Sequence, residues 1–178
     1  MDDIKDTLNE IDRFTLARSI ECDYCNLSKY KQVNRSDLTI ISQNIRSIYC
    51  NFDDFIVNLS SLSFDVDVIA LTECRLTPNK SLPQLRNYYL YATTSQLNQN
   101  DGVVVYVKNT LKSNVKEIRL SQASCLEVEL LNNIIVCVYR SPSNTNAESF
   151  INSLNMYLET IKSKNIIITG DININLIT

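Results

Sequence analysis

The sequence predicts an α/β protein in which helices pack on β-sheets, and two patterns indicate this class. Apolar, β-branched runs at 38–41 and 66–72 flank a helical pattern at 52–62, which is the order of a strand-helix-strand crossover. Between residues 88 and 140, short strands follow one another without intervening helices, which indicates antiparallel pairing.

The crossover unit carries polar residues at both of its strand ends. Its first strand ends in the polar tip that contains Asn44, and its second strand ends at Glu73. Apolar residues recur every three or four positions across 52–62, and Asn51 is the expected cap of that helix. Because parallel strands joined by a helix lie side by side, Asn44 and Glu73 are expected at the same sheet edge.

The second half of the chain is predicted to contain several short strands and one long helix. Turns are expected at Asn100-Asp101-Gly102 and, as a two-residue hairpin loop, at Asn132-Asn133. A helix with its apolar face at 150–161 leads to a last buried strand at 166–169, which opens into Gly170-Asp171-Ile172-Asn173. The antiparallel strands are expected at 88–92, 102–108, 115–120, 126–131 and 134–140.

The first 36 residues differ from the rest and are predicted to form a leader helix at 3–20 and a polar linker. The linker contains Cys22 and Cys25 in a Cys-x-x-Cys spacing. A zinc site needs four ligands, and no second such pair or histidine follows, so a zinc knuckle and a plain thiol pair both stay open.

The composition excludes several chemistries. The 178-residue chain has no histidine, so it cannot supply a Ser-His-Asp triad, a Cys-His pair or His-ligated zinc or haem. Its net charge of −3 and pI of about 5.0 provide no overall basic field for a polyanion. The N-terminus lacks a secretory signal, so we expect an intracellular protein whose six cysteines are mostly buried and reduced.

Polar side chains follow three of the predicted buried strands: Asn44, Glu73, and Asp171 with Asn173. Ligands of such sheets bind beyond the carboxyl ends of strands, where several ends converge. Carboxylate and amide oxygens suit a hard cation such as Mg²⁺, with phosphate and water as its remaining ligands. The pattern indicates phosphoryl chemistry, although each position taken alone is also typical of an ordinary turn.

The order of five segments resembles the endonuclease/exonuclease/phosphatase superfamily and, within it, the apurinic-endonuclease-like domain of insect-type non-LTR retrotransposon polyproteins. The resemblance spans residues 38–175 and implies a four-layer α/β sandwich of the DNase I-like type. Residues 37–178 would be the N-terminal half to two-thirds of that domain. The segments are Ser42-Gln43-Asn44-Ile45-Arg46-Ser47, Leu71-Thr72-Glu73-Cys74-Arg75-Leu76, Asp101-Gly102-Val103-Val104-Val105-Tyr106-Val107, Val138-Tyr139-Arg140-Ser141-Pro142-Ser143 and Gly170-Asp171-Ile172-Asn173.

The resemblance implies a role for each matching residue. Glu73 matches the metal-binding glutamate, and Asn44 matches the asparagine that helps to place metal and phosphate. Tyr139 matches a tyrosine that contacts the scissile phosphate. Asp171 matches the aspartate that orients or activates the attacking water, and Asn173 matches an asparagine that supports the transition state.

The resemblance also implies Mg²⁺, or Mn²⁺ in its place, as the cofactor and DNA as the partner. Arg140 has no role in the family pattern. Its guanidinium either meets a substrate phosphate or lies in solvent or a salt bridge.

Members of the family continue beyond the Gly-Asp-x-Asn motif to a Ser-Asp-His-like ending, which supplies a second catalytic aspartate and a histidine. This chain ends at Thr178. We therefore expect the 178-residue chain alone to cleave weakly or not at all, and to leave an unpaired, apolar sheet edge.

The leading hypothesis is a Mg²⁺-dependent, DNA-nicking endonuclease domain of a non-LTR retrotransposon. The cut strand would prime reverse transcription by a downstream domain that engages the element's RNA. Such a domain would act in the nucleus, be cytoplasmic otherwise and involve no membrane. The alternatives are a non-catalytic interaction module of the same fold and a phosphatase of small phosphoesters.

Overall fold

The computed structural model describes residues 38–62, 64–94 and 98–174. The leader predicted for residues 1–36, with Cys22 and Cys25, lies outside these ranges, so its helix and its boundary stay predictions. The described elements are β1 (Ile40–Asn44), α1 (Ile48–Ser60), β2 (Val68–Thr72), β3 (Tyr88–Ala92), β4 (Val104–Lys108), β5 (Ser113–Glu117), β6 (Ser124–Leu130), β7 (Asn133–Tyr139), α2 (Ala147–Ile161) and β8 (Asn165–Asp171).

Within the described ranges, the strands form two four-stranded sheets with the orders β1-β2-β4-β3 and β5-β6-β7-β8. Each sheet contains one parallel pair, β1 with β2 and β7 with β8, and its other pairs are antiparallel. Each parallel pair is joined through a helix, as a crossover requires. The predicted strand-helix-strand unit and the antiparallel middle strands are confirmed.

The two sheets pack face to face around a central core that includes Val105 of β4 and Val128 of β6. Helix α1 covers the outer face of the first sheet, where the ring centroids of Phe52 and Tyr106 lie 5.6 Å apart. Helix α2 covers the outer face of the second sheet through the buried Phe150. The order helix, sheet, sheet, helix confirms the predicted four-layer sandwich.

Helix α1 begins a turn earlier than the sequence pattern indicated, so the prediction of Asn51 as its cap is wrong. The helix starts at Ile48 with Ser47 at the N-cap position, and Asn51 lies inside it. Ile48 is fully buried and extends the apolar face of the helix, so its burial outweighs the capping preference of Asn51. The Asn51 side-chain amide instead donates to the carbonyl of Ile45 at 2.8 Å.

The β6–β7 hairpin turns one residue earlier than predicted. Leu130 pairs with Asn133, which leaves Leu131 and Asn132 as the two-residue loop, and Leu131 has a φ of 56°. Asn133 is the first residue of β7. The hydrophobic pattern sets this register, because a shift by one residue would turn Ile134 and its alternate neighbours away from the core under α2.

Replacing Leu131 by Gly is expected to stabilise the fold by about 0.5–1 kcal/mol, because glycine adopts positive φ without the steric cost that leucine has. Leu131 is 69% exposed, so little buried area is lost. Urea unfolding of the wild type and the variant measures the effect. Leu131→Ala is the control, since it shortens the side chain and leaves φ strained; equal stabilisation by alanine would contradict this turn conformation.

Two cysteines were predicted to be small core residues, and the structure confirms this. Cys74 and Cys137 are fully buried. Burial raises the pKa of both thiols above the ordinary value, for Cys137 to about 12.

In the described ranges, no helix combines the length and the apolar character needed to cross a membrane.

Candidate active site

The candidate site lies at the carboxyl ends of β1, β2 and β8. Asn44 is the last residue of β1, Glu73 directly follows β2, and Asp171 is the last residue of β8. Asn44 is opposite Thr72 in the parallel register, which places it beside Glu73. Asp171 is opposite Tyr139 at the end of β7. The predicted oxygen donors therefore come from both sheets.

The side-chain amide of Asn44 joins the two carboxylates. Its nitrogen donates to Oε2 of Glu73 at 3.0 Å and to Oδ2 of Asp171 at 2.8 Å. Its oxygen accepts a hydrogen bond from the backbone N–H of Arg46 at 3.1 Å, which fixes the amide plane. Two carboxylates this close repel each other, and one neutral amide offsets only part of the repulsion, so the position favours a cation.

The loop that carries Glu73 has a strained backbone. Glu73 and Arg75 have φ values of 51° and 52°. The backbone N–H groups of Cys74 and Leu76 donate to carbonyls of the 101–102 turn at 3.1 and 3.2 Å. Positive φ in residues other than glycine costs about 1–3 kcal/mol and is concentrated at functional sites.

The start of α1 holds the same loop from its other side. The backbone N–H groups of Ser47 and Ile48 donate to the carbonyls of Glu73 and Cys74 at 2.9 and 3.0 Å. These bonds satisfy amides at the helix start that have no partner within the helix. These bonds hold the backbone of Glu73 next to the segment that follows β1, and so keep its side chain near Asn44.

The Glu73 carboxylate is held in its charged form. Burial raises the pKa of Glu73. The hydrogen bonds from Arg75 and Asn44 and the charges of Arg75 and Arg46 together lower it by more, so the pKa lies below its ordinary value. The Arg75 guanidinium lies 2.8 Å from Oε1 of Glu73, whose side chain is only 17% exposed. Glu73 is therefore an anion at neutral pH, as a carboxylate metal ligand must be.

Tyr139 lies beneath the carboxylates, between the two sheets, with 1% of its surface exposed. Burial and then the charge of Glu73 raise the pKa of Tyr139 to about 12. The phenol keeps its proton at neutral pH and remains a hydrogen-bond donor. The predicted contact of Tyr139 with the scissile phosphate stays a prediction.

Asn173 and Arg140 lie beside the cluster and bind each other. The backbone N–H of Asn173 donates to Oδ1 of Asp171 at 3.2 Å, whereas its side-chain amide donates to the carbonyl of Arg140 at 2.9 Å. Arg140 is 4% exposed, and its guanidinium donates to backbone carbonyls that include that of Asn173. The structure thus brings Asn44, Glu73 and Asp171 together through side chains, and it connects Asn173 and Arg140 to them through the backbone.

The interpretation of the sequence missed two arginines at the rim of the site. The charges of Arg46 and Arg75 both lower the pKa of Glu73, and Arg75 also forms an ion pair with it. Each lies two positions after a strand-end residue, Arg46 after Asn44 and Arg75 after Glu73. This repeated spacing could have indicated both arginines from the sequence. Both also occur inside segments that carry the family resemblance.

The donor set fits a hard divalent cation. Mg²⁺ is commonly held by one or two carboxylates and otherwise by waters and substrate phosphate, and Glu73 and Asp171 are two such carboxylates. The Asn44 amide turns its nitrogen toward both of them, so it orients the carboxylates. A denser site is absent from the described part of the chain, where no three His, Cys, Asp or Glu side chains form a metal-binding group.

The comparisons with known proteins bear on the fold. No protein-family model and no curated protein sequence matches the chain. Among solved structures, the chain is similar to a variant of the 3′ phosphatase NExo from Neisseria bound to product DNA hairpin, with a TM-score of 0.61 and 15% identity. The match covers 78% of this chain and 58% of that chain, so the present chain spans less than two thirds of its neighbour. The structure therefore has the four-layer α/β fold of the DNase I-like type, as the sequence analysis predicted.

Proposed function

We propose that this chain carries the metal-binding part of a phosphodiester hydrolase that acts on DNA. The observation that carries the proposal is the convergence of Glu73 and Asp171, from different sheets, on the amide of Asn44. These are the predicted metal and catalytic residues, and strained backbone surrounds them. The neighbour with the same fold is a phosphatase bound to DNA, which supports the class of reaction.

Glu73 and Asp171 would hold Mg²⁺, or Mn²⁺ in its place, and the amide of Asn44 would help to place the ion by orienting both carboxylates. When bound, the ion supplies positive charge that polarises the scissile phosphate. Asp171 is held by Asn44 and by the backbone N–H of Asn173, so its carboxylate is oriented to accept a proton from an attacking water. Tyr139 would donate a hydrogen bond to a phosphate oxygen, since its raised pKa keeps the phenol protonated. Asn173 is then the residue that supports the transition state.

Cations on the rim favour a nucleic acid over a small phosphoester. Arg46 and Arg75 flank Glu73, and Lys80 lies over the ring of Tyr49, 4.2 Å from its centroid, on the loop that follows Arg75. The chain as a whole has a net charge of −3, so this local group of cations opposes the overall charge. Contacts with several phosphates supply most of the affinity of proteins for DNA, and a small phosphoester has no further phosphates to engage.

A plasmid-nicking assay on the natural gene product that contains these 178 residues tests the proposal. We expect Mg²⁺-dependent conversion of supercoiled DNA to nicked circles, with a loss of about 10³-fold or more in Glu73→Gln and Asp171→Asn. The first substitution removes a charged metal ligand, and the second removes the carboxylate that accepts a proton from the attacking water. Glu129→Gln, which removes a carboxylate elsewhere that is also paired with a cation, is the matched control. Nicking that does not need Mg²⁺, or that survives both site substitutions, would overturn the proposal.

We further propose that this hydrolase is the DNA-nicking domain of a non-LTR retrotransposon. Its cut would supply the primer for target-primed reverse transcription in the nucleus, by a downstream domain that engages the element's RNA. The order of the five sequence motifs supports this finer proposal. The genomic reading frame tests it: we expect a Ser-Asp-His-like segment and then a reverse transcriptase beyond Thr178, and a different downstream domain would contradict it.

A 3′ phosphatase of DNA ends is the second candidate, because the structural neighbour is a 3′ phosphatase bound to a DNA hairpin. A hairpin with a 3′-phosphate separates the two candidates in the same assay. Release of inorganic phosphate without plasmid nicking would favour the phosphatase. Nicking with slow phosphate release would favour the endonuclease.

A further inference from the structure

Arg140 is a buried arginine whose side chain binds backbone rather than a charged partner. It is 4% exposed, and its Nη1 donates to the carbonyls of Ile172 and Asn173 at 3.4 and 3.1 Å. Its Nη2 donates to the carbonyl of Asn144. One planar guanidinium thus joins the loop after β7 to the segment after β8.

The backbone of Arg140 adds to the same connection. Its N–H donates to the carbonyl of Asp171 at 2.9 Å, and its carbonyl accepts the side-chain amide of Asn173 at 2.9 Å. Asn173 has a φ of 47° and donates its own backbone N–H to the Asp171 carboxylate at 3.2 Å. The contacts therefore lead from the guanidinium to Asn173 and from Asn173 to Asp171.

We infer that Arg140 is a positioning residue, which fixes the backbone of residues 172–173, where Asn173 has a positive φ, and thereby the direction of the Asp171 carboxylate. The inference assigns Arg140 a structural use of its guanidinium in place of a direct contact with substrate phosphate. Its Nη atoms would have to release these part-buried carbonyls to reach a phosphate, and the loss of three hydrogen bonds from a charged donor is costly. The role depends on the planar fork of an arginine, since the compact ammonium of lysine cannot span three carbonyls in this arrangement. This inference rests on the proposed function for its effect on metal binding, but not for the contacts themselves.

The test uses the 178-residue chain and the variant Arg140→Lys, which keeps the charge and loses the fork. Mn²⁺ affinity is measured by electron paramagnetic resonance titration of the free ion. We expect the affinity to fall by about 10- to 100-fold, the usual effect of losing a residue that orients a metal ligand. Arg119 is an exposed arginine in the loop between β5 and β6. Arg119→Lys is therefore the matched control, and it should bind Mn²⁺ as tightly as the wild type does. A folded Arg140→Lys chain with wild-type Mn²⁺ affinity would overturn the inference.

A second measurement tests the contacts of Asn173 without metal and without a variant. Hydrogen exchange followed by NMR on the metal-free wild type reports the side-chain amide of Asn173 and its backbone N–H. We expect slowed exchange at both groups, because the Arg140 carbonyl and the Asp171 carboxylate accept them. Exchange at the rate of a free amide would overturn the inference even if Arg140→Lys did not fold. If the wild type bound no Mn²⁺, the proposed function would fail, whereas slowed exchange would still support the positioning contacts.

Discussion

Replacing Glu73 by Gln is expected to weaken Mn²⁺ binding to the 178-residue chain by about 100-fold. Loss of a group that only orients a ligand costs about 10- to 100-fold, so loss of a charged ligand should reach at least the upper end. The substitution keeps the size of the side chain and removes its charge; its one amide oxygen can accept from Asn44 or from Arg75, which bind different oxygens of Glu73. Titration of free Mn²⁺, with circular dichroism to verify folding, measures the effect.

Glu129→Gln is again the matched control, because Glu129 is paired with Lys164 as Glu73 is paired with Arg75. It should leave the Mn²⁺ affinity unchanged. The pH dependence gives a second check: the pKa of Glu73 is lowered below the ordinary 4.5, so protonation of Glu73 should not weaken binding until the pH falls below that value. Equal losses in the Glu73 and Glu129 variants would indicate a general charge effect and contradict a site at Glu73.

The second large effect is expected at Gly170, where alanine should destabilise the fold by about 3 kcal/mol. Gly170 has a φ of 128°, and a Cβ there would lie 1.9 Å from the carbonyl oxygen of Val138. Both the strand pairing and the backbone conformation would have to change, because the obstructing atom belongs to the backbone of β7. Urea unfolding measures the loss of stability. Asp171 is the next residue, so the same change should also weaken Mn²⁺ binding.

Gly102→Ala is the matched comparison, because it separates backbone obstruction from positive φ. Gly102 has a similar φ of 122°, but a Cβ there would meet the side chain of Leu76, at 2.5 Å from Cγ. A side chain can rotate away, whereas the β7 carbonyl cannot. We expect Gly102→Ala to be the less destabilising of the two, and the reverse order would contradict the close approach of β8 to β7.

Much of the fold followed from the hydrophobic pattern alone. The strand that ends at Asn44 and the strand that ends at Glu73 are parallel neighbours, as their connection through a helix predicted. The sheet edge on which the polar ends meet was therefore predictable, because topology and strand direction determine it. The meeting of Glu73 with Asp171 was predicted only in general terms, from the convergence of strand ends, since the packing of one sheet on the other leaves little trace in local patterns.

The errors arose where tertiary burial overrides local preference. Asn51 is a good cap by residue type, but burial of Ile48 starts the helix earlier. Leu131 is a poor residue for positive φ, but the register of β6 and β7 places it in the turn. Arg140 illustrates the same limit at the site: a guanidinium that binds backbone carbonyls leaves no charge pattern in the sequence, because its partners are main-chain atoms.

Mapping bound Mn²⁺ by paramagnetic broadening of backbone amide signals tests the central claim most directly. The claim is that the ends of β1, β2 and β8 hold one cation between Glu73 and Asp171. We expect selective broadening of amides near Asn44, Glu73 and Asp171, which Mg²⁺ reverses by competition. Broadening centred on the opposite end of β2, near Asp65 and Asp67, or diffuse broadening over the whole surface, would contradict it.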